Sequence, residues 1–357
     1  MCTAAKNEEL STDVIMDVHK SLLEKRTSCA TVQDAERIFA DHYGITAQAK
    51  MVSGERDDNF LLSDGKESWF LKIVNEHEPS DVTDSQIKVL QYLSDHISNL
   101  PTAKIVENNN GDLVTHVDIH DTARSAYAET TIDGVPATRD ILDTSLRKTM
   151  GQTLATLENA MSTFEHIALH RQNLWNICDL GSLLPLAASI QNKRIGETLS
   201  EKIRWFTASV KPALEKMPVQ AIHNDFSADN IYVDPQTKTV SGIVDFGDMV
   251  RAPTIVDVAS ACAYQLGSPG NLHSLFTPVN AFLKGYLDVR NLSHEERKLL
   301  PDLLIARMVV RLTVTEWRAT RLPDNAEYIL RNNQLTWRQF NLLTQTPKQN
   351  IREFLNL

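Results

Sequence analysis

The sequence predicts an α+β chain in two lobes, a small N-terminal lobe built on an antiparallel sheet and a larger, mainly helical C-terminal lobe. Three observations predict it. The chain has 357 residues, more than the ~250–300 at which a single core stops growing. From about residue 49 to 132 it carries short apolar runs separated by polar turns, and after Gly134 its apolar residues recur at helical spacing. Inside that helical part lies one strand-rich island, residues 219–244.

The elements follow in order. Residues 1–32 read as a leader, with Ser11 capping a helix whose Val14, Ile15, Val18, Leu22 and Leu23 fall on one side. The N-terminal lobe, 33–132, opens with a helix over 35–43 that Gly44 ends. Strands follow at 50–53, 59–62 and 68–74, the last two joined by Ser63-Asp64-Gly65-Lys66, a hairpin signal. A helix carrying Val82, Ile87, Leu90 and Leu93 comes next, then strands at 103–106 and 113–117 and a stretch over 125–132. The C-terminal lobe, 133–357, has helical periodicity over 141–164, 195–214, 255–266, 279–287 and 295–320. Strands at 219–223, 231–233 and 240–244 interrupt it.

Composition narrows the function classes. The net charge of −10 argues against nucleic acid or an anionic membrane as the main partner, since both need surplus Lys and Arg. It suits a cationic small substrate. Cys2, Cys29, Cys178 and Cys262 form no C-x-x-C pair and no zinc spacing, so they read as free thiols of a reducing cytoplasm. The N-terminus has no signal-peptide pattern, and no apolar run approaches the ~18 residues of a membrane span. The expectation is a cytoplasmic monomer or homodimer.

The chemistry concentrates in His223-Asn224-Asp225-Phe226-Ser227-Ala228-Asp229-Asn230, followed fifteen positions later by Asp245-Phe246-Gly247-Asp248. This is H-x-D-x-x-x-x-N and then D-F-G, each beside an apolar strand. Phosphoryl transfer from a nucleotide asks for these types: a carboxylate, Asp225, to orient the acceptor hydroxyl and receive its proton, and hard oxygen ligands, Asn230 and Asp245, for Mg²⁺ on the phosphates. Either triplet alone is weak; the two in this order are specific. His223 reads as a brace for the loop rather than a proton carrier, and Asp257 as a second brace.

Upstream, Lys72 sits inside an apolar strand, where it suits a grip on the α- and β-phosphates. An acidic partner is expected on the next helix; no Glu stands there, so the candidates are Asp84 first, then Asp81, with Gln86 as a polar one. Ser53 through Asn59 forms the turn that would cover the phosphates by backbone N–H groups and the Ser53 hydroxyl, with Arg56 adding charge. By position alone, 126–131, which includes Glu129, is the connector whose backbone edges hold the purine.

At these residues the sequence resembles the aminoglycoside phosphotransferase superfamily, a branch of the protein-kinase-like fold, and most closely its hydroxylysine kinase-like group. The matching segments run from Ser53 to Phe60, from His223 through Asn230 and from Val244 to Asp248, with weaker echoes from Phe164 to Trp175 and at Pro323-Asp324-Asn325. The resemblance implies nucleotide in the cleft between the lobes, Mg²⁺ on Asn230 and Asp245, Asp225 as base and Lys72 as phosphate ligand. It implies ATP or GTP as donor and an amino-alcohol acceptor, hydroxylysine-like before aminoglycoside, homoserine or choline. Asn224 stands where the wider superfamily has Gly, and Asn176 where this group tends to carry Asp. Candidates for gripping such an acceptor are Asp229, Asp248 and Glu316 for its ammonium, Arg171 and Arg251 for a carboxylate end, and Trp175 and Trp317 for a cation–π face. The alternative of a catalytically silent nucleotide-binding module fits less well, because base, metal Asp and Lys are all present.

Overall fold

The computed structural model describes residues 29–52, 54, 56–97 and 100–356. The leader helix expected near residues 11–23 lies outside the described residues, as does Ser53. The first described helix, α1 (Val32–Tyr43), starts where Thr31 and Asp34 cap each other reciprocally. It stops at Gly44, whose φ of +70° is a conformation glycine adopts without steric penalty.

Six antiparallel strands follow. They are β1 (Gln48–Val52), β2 (Asp58–Ser63), β3 (Ser68–Ile73), β4 (Ile105–Val106), β5 (Thr115–Ile119) and β6 (Thr122–Thr130). The order is β1-β2-β3-β6-β4, with β5 also on β6. Phe60, Leu62, Leu71, Ile73, Ala126 and Ala128 point to one face and close over Ile38 and Phe39 of α1 as an apolar cluster. Because side chains alternate, Asn59, Lys72 and Tyr127 share the other face; the register pairs Asn59 with Lys72 and Lys72 with Tyr127.

Helix α2 (Ser80–His96) joins two cores. Ile87 packs with Val74 and Tyr127, whereas Val89, Leu90 and Leu93 belong to the large apolar cluster of the helical lobe. That lobe contains α3 (Thr144–Ala160), α4 (Leu184–Ser189), α5 (Lys193–Ser209), α6 (Lys211–Leu214), α7 (Thr254–Gln265), α8 (Leu272–Val289) and α9 (His294–Arg321). Three shorter helices, α10 (Ala326–Leu330), α11 (Asn333–Gln345) and α12 (Lys348–Phe354), pack on α9. The length of α9, 28 residues, lets it run through the lobe with Leu303, Leu304, Ala306, Val309, Val310 and Val314 all fully buried.

The embedded island is two small sheets. β7 (Val135–Pro136), β9 (Ile231–Asp234) and β10 (Thr239–Ile243) form one, in the order β10-β9-β7; β8 (Gln220–Ile222) and β11 (Val250–Ala252) form the other. The pairing of Ile231 with Ile243, continued by the Val244 N–H donating to the Asn230 carbonyl at 3.0 Å, returns the chain to the end of the 223–230 loop. The Ile243 N–H donates to the Pro101 carbonyl at 2.8 Å, tying this hairpin to the segment after α2.

Candidate active site

The loop preceding β9 is held by Asp257 on α7. Its two carboxylate oxygens accept the backbone N–H groups of His223 and Asn224, each at 2.9 Å. Asp257 is fully buried, and burial pushes its carboxyl up against the pull of His223 and those two amides. His223 accepts the Asp225 N–H at Nδ1 (3.4 Å), so its proton lies on Nε2, which donates to the Val244 carbonyl at 3.2 Å. It thus joins the two halves of the hairpin, and its ring packs on Phe246. Asn224 has φ +68°. Asn tolerates this left-handed conformation better than most residues, which accounts for Asn in a position suited to Gly.

Asp225 is the convergence point. Its Oδ2 accepts the Asn230 amide at 2.9 Å, and the same amide donates to the Asp225 carbonyl at 3.0 Å. Its Oδ1 accepts the Tyr264 hydroxyl from α7 at 2.8 Å and Arg307 Nη2 from α9 at 3.0 Å. The Arg307 side chain is wholly buried; it also donates to the Tyr264 hydroxyl at 3.0 Å and to the Trp175 carbonyl. Burial pushes the Asp225 carboxyl above its ordinary range, opposed first by Arg307. The Tyr264 hydroxyl is pushed up to about 12 by burial, so it stays protonated and donates. Neither Tyr264 nor Arg307 stands near the motif in sequence, and no local pattern marks them.

Asp245 lies across the hairpin, in a left-handed conformation (φ +61°) that its Oδ1 supports by accepting the Gly247 N–H at 3.2 Å. Its side chain is 48% exposed, and Lys72 Nζ reaches to 4.0 Å from Oδ1. Burial works against the Lys72 ammonium, but Tyr127 and the carboxylates of Asp245, Asp57 and Glu129 together hold its pKa well above the ordinary value. Glu129 on β6 is therefore in electrostatic reach of both Lys72 and Asp245, with its own carboxyl pushed up by burial. Asn59, in register beside Lys72, has a buried Oδ1 without a hydrogen-bond partner among the described residues.

These donors fit a hard divalent cation. Because Asn230 turns its amide N–H groups toward Asp225, its carbonyl oxygen faces away from that carboxylate, and Asp245 is half open. Among the described residues no three His, Cys, Asp or Glu side chains cluster as an all-protein metal cage would. That suits an ion held by one or two protein oxygens and by nucleotide phosphates.

Several expected residues are corrected. Asp84 does not meet Lys72: it pairs with Lys88 at 2.6 Å and His166 at 3.0 Å. Residues two apart on a helix point ~200° apart, so Gln86 faces Lys72 instead, its Oε1 3.4 Å from Nζ and 3.2 Å from the Tyr127 hydroxyl. Among the described residues the acid nearest Lys72 is Asp57, at 3.8 Å, from the turn before β2. Asp248 is buried and accepts Arg56 at 2.8 Å and Asn173 at 3.0 Å, which hold its carboxyl below the ordinary range despite burial. It latches the β1–β2 turn to the D-F-G segment, and Arg56 is committed there rather than to phosphate. Arg171 donates to the carbonyls of Ala168 and Gly247, and Arg251 pairs with Glu165. Glu316 accepts Asn333 and Trp337, both at 3.0 Å, fastening α11 to α9. Trp317 is 1% exposed and belongs to the core. Asp229 is exposed on the one-turn helix at the loop's end, and Trp175 is half-buried with its ring 6.0 Å from the Arg307 guanidinium.

A cavity of about 530 Å³ bordered by Asp179, Ser182, Ile203, Thr207 and Lys211 includes none of Lys72, Asp225, Asn230 or Asp245 among its lining residues. It is separate from this constellation.

Comparison with known proteins places the chain. The sequence profile of the phosphotransferase enzyme family (APH) matches residues 49–298. A hydroxylysine kinase of Mus musculus is 24% identical over 325 residues, 83% of this chain and 84% of that one. A hydroxylysine kinase of Xenopus laevis is 21% identical over 364 residues, 94% and 95% of the two chains. Among solved structures, the amicoumacin kinase hAmiN in complex with AMP-PNP, Ca²⁺ and Ami superposes with a TM-score of 0.69 at 16% identity, covering 89% of this chain and 95% of that one. A microcompartment-associated aminopropanol kinase gives 0.58 at 18% identity, covering 87% and 100%. The chain belongs to the phosphotransferase enzyme family, and it is a small-molecule kinase with an alcohol group as acceptor.

Proposed function

We propose that the protein transfers the γ-phosphoryl group of ATP, with GTP as the alternative donor, to the side-chain hydroxyl of a hydroxylysine-like amino alcohol. The observation that carries this is the meeting of Asp225, Asn230, Asp245 and Lys72 at one hairpin: Asn230 is 2.9 Å from Asp225, and Lys72 is 4.0 Å from Asp245. The hydroxylysine kinase relatives support the acceptor class. Lys72, Asn59 and Glu129 line the nucleotide side. Asn230 and Asp245 would hold Mg²⁺, which when bound would neutralise phosphate charge. Asp225 receives the acceptor's hydroxyl proton as the acceptor oxygen bonds to the γ-phosphorus and the bond to the β-phosphate oxygen breaks. Arg307 and Tyr264 fix the carboxylate's orientation and favour its ionised form against the opposing effect of burial. His223 and Asp257 position the loop.

The test is nucleotide turnover with a panel of hydroxy-amines, comparing the native protein with Asp225→Asn. Acceptor-dependent turnover that falls by ~10²–10⁴-fold in the variant, with Mg-nucleotide affinity retained, is expected. Tight nucleotide binding with no acceptor-dependent turnover by the native protein sinks the reading and leaves a binding module.

A further inference from the structure

The arginines expected to hold an acceptor's carboxylate, Arg171 and Arg251, are committed elsewhere. Two others stand beside the base. Arg311 lies one turn beyond Arg307 on α9, half-buried, with its guanidinium 4.9 Å from the centre of the Tyr264 ring. The hydroxyl of that ring donates to Asp225. Arg311 is therefore separated from the reacting centre by one aromatic ring.

Arg139 approaches Arg311 from another part of the chain. It lies in the exposed segment after β7, where the Ala137 N–H donates at 2.8 Å to the carbonyl of Ile231, the residue after Asn230. Arg139 and Arg311 are close enough to oppose each other's charge: partial burial of the guanidinium of this surface residue, and then Arg311, holds the Arg139 pKa below its ordinary value. Arg147, also close enough to Arg139 to feel its charge, is committed to Gln265 and the Leu142 carbonyl. Arg307 has Asp225 as counter-ion, whereas neither Arg139 nor Arg311 has a carboxylate within ion-pair distance among the described residues. A guanidinium one aromatic ring from the active centre, with a second close enough to oppose its charge, is a costly arrangement that an anionic group would relieve. A guanidinium fork matches a carboxylate with two parallel hydrogen bonds.

We propose that Arg311, with Arg139 beside it, binds a carboxylate of the acceptor, so that the substrate is a hydroxy-amino acid rather than a bare amino alcohol or a polycationic aminoglycoside. This rests on the reading of Asp225 as the group that meets the acceptor hydroxyl. The same pair of cations repels an acceptor that brings only ammonium groups to this rim, so the subsite selects as well as binds.

Equilibrium binding and turnover separate the two readings. The full chain is loaded with Mg²⁺ and a non-hydrolysable ATP analogue, and calorimetry compares 5-hydroxylysine with its carboxamide; turnover of both is measured with ATP. The expected result is that the acid binds about tenfold tighter or more than the amide. Arg311→Gln erases that difference, Arg311→Lys keeps part of it, and Arg139→Gln, at an exposed position that leaves the fold intact, reduces it. Nucleotide affinity is unchanged in all three. Equal binding of acid and amide by the native protein, no binding of either, or an equal loss of both in Arg311→Gln and Arg139→Gln overturns the subsite. A carboxylate preference in binding without phosphorylation of either compound keeps the subsite and removes the phosphotransfer reading.

Discussion

Lys72 Nζ lies 3.4 Å from the uncharged Gln86 Oε1, while its nearest carboxylate among the described residues, Asp57 Oδ2 at 3.8 Å, comes from the turn before β2 and not from α2. The amide orients the ammonium and the turn supplies charge. Asp57 is itself anchored, its Oδ1 accepting the Asn75 N–H at 2.9 Å.

Asp57→Asn is expected to raise the KM for nucleotide roughly three- to tenfold, the effect of losing about 1 kcal/mol from one partly exposed ion pair. Gln86→Glu places a charge at the site that α2 presents to Lys72, and the double variant should return most of the loss. A double-mutant cycle in nucleotide KM checks this. Additive effects, with no recovery in the double variant, would show that the two side chains do not share Lys72.

The φ of +68° at Asn224 separates a backbone role from a side-chain role. Its Nδ2 donates to the Asp248 carbonyl at 3.1 Å. Asn224→Gly and Asn224→Ala lose that hydrogen bond alike, but only Ala meets the left-handed steric penalty of about 1–2 kcal/mol. Denaturant unfolding should place Ala below Gly by that amount, and turnover should fall further in Ala because the loop carrying Asp225 must shift. Equal stability of the two variants would mean the backbone there relaxes freely.

The site was legible where its chemistry is local. Asp225, Asn230 and Asp245 stand within 21 positions on one hairpin, so spacing alone brings them together. Lys72 was legible because a lysine is out of place in an apolar strand. What sequence could not deliver came from distance or helical phase. Tyr264 and Arg307 reach Asp225 across 39 and 82 positions, on helices whose apolar pattern records packing and not what their polar faces meet. Asp84 failed because residue type was weighed without helical phase: Gln86, two positions on, faces the cleft. Glu316 and Trp317 lie in the right helix but beyond the part that meets the site. In the fold, β11 was missed because three residues carry no readable period, and it forms only by pairing with β8.

Glu158 on α3 gives the stability a sign with pH. It is 1% exposed; its Oε2 accepts the Tyr286 hydroxyl at 2.5 Å, and its Oε1 has no hydrogen-bond partner among the described residues. Burial, reinforced by the Asp257 carboxylate, holds its pKa well above the ordinary value. An acid whose folded pKa exceeds its unfolded pKa contributes stability that is complete below the unfolded value and is lost as pH rises through the folded one. Glu158→Gln keeps the shape and removes the titration. Its Tm should match the native protein's near the ordinary carboxylate range, and exceed it increasingly as pH rises. Parallel curves of Tm against pH for the two proteins would mean that Glu158 titrates alike folded and unfolded.

Tyr286 can reach Glu158 because α8 and α3 touch backbone to backbone. A Cβ at Gly285 would stand 1.8 Å from the Lys148 carbonyl oxygen, and one at Gly151 would stand 2.0 Å from that of Phe282. Both obstacles are backbone, so no side-chain rotation relieves them. Helix propensity alone makes Gly→Ala stabilising by about 1 kcal/mol in a helix interior. Here the steric term wins, because the helices must separate by more than an ångström and α8 carries Phe282, Leu283 and Tyr286 into the core with it. Gly285→Ala is expected to destabilise by roughly 3 kcal/mol or more, at or above the top of the usual range for overpacking. Gly151→Ala should do nearly the same, and the double variant should cost less than the sum, since one separation relieves both clashes. Urea unfolding of the three variants measures this. A neutral or stabilising Gly285→Ala would mean that the two helices do not approach this closely, and the route from Tyr286 to Glu158 would fall with it.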